Sequence, residues 1–158
     1  MKGDRNEKIE IVPLYYTVNG RLTVENGKLN YIEPCFRYPY PADTFLVFKA
    51  LYPELFLVAI KNDEIVGYVC GVLRRDGCGH IVSICVRPKF RGLGIGKALM
   101  LEIEKRFIEL GVKCFLLEVG VGNEIAQRLY MKLGYRVIGR IKNYYPDGED
   151  AFVMRKDI

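Results

Sequence analysis

The chain has 158 residues, half of them apolar and 27% charged, with a formal net charge of +5. This length and balance predict a single folded domain with a sizeable core, and they argue against a disordered or fibrous chain. The positive charge is mild and scattered. It suits anionic ligands but forms no basic stripe interleaved with aromatics, so direct nucleic-acid recognition is not expected.

No apolar run approaches the roughly 18 residues of a membrane span. The start, Met-Lys-Gly-Asp-Arg-Asn-Glu-Lys, has no apolar stretch behind its charges, so no signal peptide is expected and a cytoplasmic location follows. Five cysteines stand at 35, 70, 78, 85 and 114, none in a Cys-x-x-Cys pair, beside a single histidine. A metal site is therefore not expected. The odd count argues against a disulfide framework, and Cys70, Cys85 and Cys114 read as inert core thiols in apolar runs. Gln127 is the only glutamine, a bias found in heat-adapted proteins.

Residues 1–19 read as an N-terminal extension and 20–158 as the folded domain. Ile9 to Val18 is β-rich but interrupted by Pro13, which predicts an edge strand or a draped arm. A short strand is expected over Arg21–Val24, a helix from Lys28 to about Phe36, and a second helix from Ala42 to about Ala50 after the Tyr38-Pro39-Tyr40-Pro41 break. Leu55–Ile60 and Ile65–Leu73 flank a short polar turn and predict a strand pair. His80–Val86 is the next strand. A helix over Gly96–Leu110 carries Leu99, Ile103, Phe107 and Leu110 at helical spacing and stops before Gly111. Cys114–Val119 reads as a buried strand, Asn123 as the cap of a helix that Gly134 ends, and Tyr135–Ile141 and Ala151–Met154 as late strands. The order predicts an α/β fold with a mixed sheet.

Chemistry concentrates first between Val86 and Leu99. A strand runs into the basic, glycine-rich turn Arg91-Gly92-Leu93-Gly94-Ile95-Gly96-Lys97, and the turn runs into a helix. Glycines let several N–H groups converge, the helix start adds unpaired N–H groups and a positive dipole end, and Arg91 and Lys97 add full charges. That combination suits a diphosphate. It is not a Walker loop, since Ala98 stands where the magnesium-binding hydroxyl belongs. It is not a dinucleotide fingerprint either, since the glycine spacing differs and Val112 and Lys113 stand about 20 residues on, where an acidic residue is required.

The pattern Arg-Gly-x-Gly-Ile-Gly behind a strand resembles the acyl-CoA loop of the Gcn5-related N-acetyltransferase family. Three further segments, in order, carry the same likeness: Tyr38-Pro39-Tyr40-Pro41-Ala42-Asp43-Thr44-Phe45; Leu117-Glu118-Val119 with Asn123, Ala126, Leu129, Tyr130 and Leu133-Gly134-Tyr135; and Lys142-Asn143-Tyr144-Tyr145 followed by Glu149-Asp150-Ala151. Within that family the chain is most similar to protein N-terminal acetyltransferases of the ribosomal-protein-alanine and archaeal type. The resemblance implies a mixed, mostly antiparallel sheet with a splayed parallel pair holding acetyl-CoA, and about four helices.

The resemblance also implies roles. Glu118 would be the general base, acting through a water; the alternative is a glutamate at a frayed strand end facing solvent. Tyr130 would be the general acid beside the thioester sulfur, the alternative being a core tyrosine. His80 is a second-rank catalytic candidate, since a surface histidine is the stronger reading. Ile84, Cys85, Val86, Arg91, Gly92, Leu93, Gly94, Ile95, Gly96, Lys97, Asn123 and Tyr130 would contact acetyl-CoA, although Asn123 also reads as an ordinary cap. Tyr38, Pro39, Tyr40, Tyr144 and Tyr145 would hold the peptide. Adjacent strand tyrosines face opposite sides, so Tyr144 and Tyr145 cannot both be core. The implied reaction is acetyl transfer from acetyl-CoA to the α-amine of a protein or peptide, a ribosomal protein among the candidates, releasing CoA with no metal. The rivals are a small-molecule amine acetyltransferase of the same fold and a catalytically silent CoA-binding regulatory domain.

Overall fold

The computed structural model describes residues 8–14, 51–62 and 64–158. The strand expected at 21–24, the helices expected at 28–36 and 42–50, and Tyr38, Pro39 and Tyr40 lie outside the described residues. Seven strands form one sheet: β1 (Glu10–Pro13), β2 (Phe56–Lys61), β3 (Glu64–Leu73), β4 (Gly79–Val86), β5 (Cys114–Gly120), β6 (Arg136–Ile141) and β7 (Ala151–Asp157). Their spatial order is β1-β2-β3-β4-β5-β7-β6. Two α-helices stand among the described residues, α1 (Ile95–Glu109) and α2 (Glu124–Lys132). Contacts group the chain into two units: Met1–Gly71 with Ser83–Arg106, and Val72–Val82 with Phe107–Ile158.

In the first unit, β1 pairs antiparallel with β2 and takes the edge of the sheet, with Pro13 at its last position opposite Leu57. An edge is where a residue lacking an N–H costs least. The β2–β3 hairpin closes at the Lys61↔Glu64 pair, and Asn62 takes the left-handed conformation at φ 50°, which asparagine tolerates. Gly67 serves close packing: a Cβ there would lie 2.8 Å from the Cys85 carbonyl oxygen and 3.3 Å from Leu99 Cδ1. The inner face of α1 buries Leu99, Met100 and Ile103 completely.

In the second unit, β4 and β5 pair in parallel through Gly79↔Phe115, His80↔Leu116 and Ile81↔Leu117. Gly79 admits the ring of Phe107, whose atoms would lie 2.6–2.8 Å from an added Cβ. β7 pairs antiparallel with both β5 and β6, so the parallel pair sits in a mixed sheet, as expected. Both helices end in the same way. The Gly111 and Gly134 N–H groups bond back to Ile108 and Met131, and the next residues, Val112 and Tyr135, bond to Phe107 and Tyr130. With φ at 87° and 101° on the glycines, these are two Schellman motifs.

The cysteine expectation needs correcting. Cys78 and Cys114 form a disulfide, Cα atoms 4.7 Å apart, and Cys85 is disulfide-bonded as well. The reason for the first pair is register. Gly79 lies opposite Phe115, so the residues just before them, Cys78 and Cys114, become neighbours. Counting cysteines by parity cannot see that. The inert-thiol reading holds for Cys70 alone, which is fully buried and free; burial pushes its thiol up to about 12.

Candidate active site

The glycine loop belongs to the first unit. At the end of β4 the Arg87 N–H donates to the Val66 carbonyl at 2.8 Å, and a single 3₁₀ turn, Pro88–Phe90, follows. The Arg91 side chain folds back, its Nε donating to the Val86 carbonyl at 3.0 Å, so the arginine braces the loop it charges. Gly92 and Gly94 have φ of 77° and 82°, and a Cβ at either would meet no protein atom within 4 Å. Backbone conformation, not crowding, therefore demands glycine here. Between them Leu93 is exposed, while Ile95 is buried and anchors the helix start.

The first helical bond of α1 runs from the Ala98 N–H to the Gly94 carbonyl. The N–H groups of Ile95, Gly96 and Lys97 precede it and are available to an anion. Lys97 is exposed, and no carboxylate among the described residues pairs with it. Ile84, Cys85 and Val86 are half-buried on β4. The donor set fits the diphosphate of a coenzyme A thioester: backbone N–H groups, a helix start and an exposed ammonium.

The titratable candidates belong to the second unit. Glu118 sits inside β5 opposite Val153, its side chain 15% exposed. It is therefore neither frayed nor facing bulk water. His80 lies opposite Leu116 in the parallel pairing, two residues before Glu118 and on the same face. The result is a hydrogen bond of 2.7 Å between His80 Nε2 and Glu118 Oε2. The lone histidine is thus the partner of the candidate base and not a free surface group.

Tyr130 is 6% exposed on α2. The Schellman bond from Tyr135 fixes its turn, and the two rings meet edge-on at 6.1 Å. Burial pushes the Tyr130 phenol up to about 12, so it stays protonated throughout the neutral range. Asn123 caps α2, its Oδ1 accepting the Ala126 N–H at 3.2 Å. That carbonyl is committed, which leaves its amide NH₂ as the group it can offer a ligand.

Tyr144 and Tyr145 do not lie in a strand, so the sheet-aromatic alternative does not apply to them. The β6–β7 pairing stops at Ile141↔Ala151. Asn143 takes φ 52°, its N–H bonded to Asp150 Oδ1 at 2.9 Å, and the chain turns. The two rings pack edge-to-face, centroids 4.9 Å apart, with Tyr144 exposed and Tyr145 half-buried. Burial raises the Tyr145 phenol well above its ordinary value, and Tyr144, Glu149, Glu118 and Tyr130 add to the rise. The aromatic turn therefore shares an electrostatic neighbourhood with Glu118 and Tyr130.

Two residues escaped the reading from sequence. Gln127 donates to the Gly120 and Val121 carbonyls at 2.8 and 3.0 Å, and Glu149 accepts the Gly122 N–H at 2.9 Å. Both brace the connection between β5 and α2. The available signals were a sole glutamine and an acidic pair behind a Pro-Asp-Gly turn, neither of which specifies a contact. No cluster of three or more His, Cys, Asp or Glu among the described residues could hold a metal ion. No described helix is long and apolar enough to cross a membrane.

The model of the acetyltransferase (GNAT) family matches residues 28–135. An uncharacterized N-acetyltransferase of Methanocaldococcus jannaschii is 41% identical over 122 residues, covering 77% of this chain and 78% of that one. An N-alpha-acetyltransferase of Sulfurisphaera tokodaii is 34% identical over 154 residues, covering 89% and 91%. The crystal structure of Naa20 from Chaetomium thermophilum, in complex with a bisubstrate analogue, superposes with a TM-score of 0.77 at 26% identity, covering 96% and 86%. The chain belongs to the GNAT acetyltransferase family. It is an N-acetyltransferase that takes its acetyl group from acetyl-CoA and releases CoA.

Proposed function

We propose that the acceptor is the α-amino group of protein N-termini, a ribosomal protein among them, and that the reaction proceeds in a ternary complex in the cytoplasm. The supporting observation is the Tyr144–Tyr145 turn, its rings packed edge-to-face with centroids 4.9 Å apart and Tyr144 exposed, a surface suited to an extended peptide backbone. The name of the Sulfurisphaera relative points the same way. Disulfides are compatible with a cytoplasmic location in heat-adapted organisms, whose intracellular proteins carry them.

An α-amine titrates near pH 8, against about 10.4 for a lysine. Appreciable free amine therefore exists at neutral pH, and modest base catalysis suffices. In this reading Glu118 takes the remaining proton through a water, and His80 orients the carboxylate and shares the charge. The amine nitrogen bonds to the thioester carbonyl carbon, and backbone N–H groups near Cys85–Val86 receive the developing oxyanion. The carbon–sulfur bond then breaks. Tyr130 donates a hydrogen bond to the departing thiolate. Complete transfer from a phenol near 12 to a thiolate of about 8.5 is uphill, so Tyr130 stabilises the thiolate by its hydrogen bond, and the sulfur takes up the proton that the attacking nitrogen loses as the tetrahedral intermediate collapses to the amide. Arg91, Lys97 and the loop N–H groups hold the diphosphate, and Asn123 steadies the cofactor arm.

The test is CoA release from acetyl-CoA with peptides varied in their first two residues, run beside the same peptides with blocked N-termini and intact lysines. Release confined to free N-termini is expected. Release with blocked peptides moves the acceptor to lysine. Silence on both, with acetyl-CoA bound, favours a small-molecule amine or a regulatory domain.

A further inference from the structure

We infer that Glu149 is a positioning residue that ties the Tyr144–Tyr145 turn to the connection after β5 and so sets the affinity for the acceptor peptide; the second half of this rests on the N-terminal acetylation proposed above. The turn between β6 and β7 carries three carboxylates, and each holds a backbone N–H. Asp147 Oδ1 accepts from Glu149 at 2.9 Å, Asp150 Oδ1 from Asn143 at 2.9 Å, and Glu149 Oε1 from Gly122 at 2.9 Å. The first two bonds are internal to the turn and shape it. The third leaves it and reaches the segment between Glu118 and α2.

The segment that receives Glu149 is built to admit it. A Cβ at Gly120 would lie 2.6 Å from Glu149 Oε1, and one at Gly122 would lie 3.2 Å from the same atom. Neither glycine has a positive φ, so the room they leave, not backbone conformation, is the structural reason for them. The main chain of Glu149 is bound to the aromatic turn: the Tyr145 N–H donates to the Glu149 carbonyl at 3.1 Å, and the Gly148 N–H to the Tyr145 carbonyl at 2.8 Å. One residue therefore grips Tyr145 through its backbone and the β5–α2 connection through its carboxylate. A second tie, from the Val121 N–H to the Asp150 carbonyl at 3.0 Å, involves main chain only. The side-chain tie is thus the one a substitution can remove.

The experiment compares wild type with Glu149→Ala, Glu149→Gln and Gly120→Ala, by steady-state kinetics on a free-amine peptide and by amide hydrogen exchange. With Glu149→Ala the peptide KM should rise about ten-fold while kcat and the acetyl-CoA KM stay within about two-fold, since a charge-assisted bond is lost but no reacting group. The Gly122 amide and those of the 143–148 turn should exchange faster. Glu149→Gln keeps an oxygen acceptor and should restore both readouts. Gly120→Ala displaces the carboxylate from the other side and should reproduce Glu149→Ala. Unchanged peptide KM, a fall in kcat at constant KM, or unaltered Gly122 exchange in Glu149→Ala would each overturn the assignment. If wild type itself ignores peptides, the proposed acceptor fails. Exchange then decides the tie alone: faster exchange in Glu149→Ala upholds it and unchanged exchange refutes it.

Discussion

His80 Nε2 and Glu118 Oε2 stand 2.7 Å apart although 38 residues separate them in the chain, because parallel pairing of β4 with β5 sets both on one face. The pair is the centre of the proposed base. Glu118→Gln should lower kcat about 100-fold or more, the usual worth of a positioned general base, with the acetyl-CoA KM little changed. His80→Ala should cost less, since the carboxylate remains. Steady-state kinetics at saturating acetyl-CoA measures both, and wild-type turnover in Glu118→Gln would remove the assigned role.

Tyr130→Phe keeps the ring packed against Tyr135 and removes only the hydroxyl. Stability should change little, while kcat falls. A thioester analogue with a more acidic leaving thiol should recover part of the loss, because a better leaving group needs less help from a donor. Equal losses with both thioesters would make Tyr130 a core residue and nothing more.

The glycine loop should govern cofactor affinity more than turnover. Lys97→Ala should weaken acetyl-CoA binding about ten- to hundred-fold, as loss of a charge-assisted contact predicts. Gly94→Ala should weaken it as well and cost about 1–2 kcal/mol of stability, from the left-handed φ alone, because an added Cβ meets no protein atom. Calorimetric titration with CoA and thermal melts separate the two effects.

Stability should fall on the alkaline side. The Cys70 thiol moves from an ordinary 9.0 to about 12 on folding, the Tyr130 phenol from 10.0 to about 12, and the Tyr145 phenol is raised as well. Each group holds its proton in the fold after the unfolded chain has released it, so the stabilisation is complete below about pH 9 and drains away as the pH climbs toward 12. Denaturant melts across pH 8–11 should show the decline, and Cys70→Ala should delay its onset.

The Cys78–Cys114 disulfide closes a separation of 36 residues, worth about 3–4 kcal/mol in the chain-entropy account. Replacing both cysteines by serine should lower Tm by about 10 °C. A melt of the double variant checks this without disturbing Cys85.

What the sequence made legible was local. The glycine loop, the Asn123 cap, the glycine-ended helices and the β2–β3 hairpin depend on neighbours in the chain, and all stand within a residue or two of where they were expected. The Cys78–Cys114 bridge and the His80–Glu118 bond depend on strand register, which no local pattern reveals. Around the tyrosine pair, Asn143 at φ 52° and its bond to Asp150 turn the chain, a geometry that the run of aromatics does not reveal. Glu149 acts across 27 residues, and its sequence context marks only a turn.

The measurement that bears most directly on the central claim uses one peptide with a free α-amine and an internal lysine, incubated with acetyl-CoA and the enzyme and then mapped by tandem mass spectrometry. A single acetyl group on the N-terminal nitrogen is expected, lost with Glu118→Gln. Acetyl on the lysine Nζ, or none on a peptide whose acetyl-CoA is bound, would contradict it.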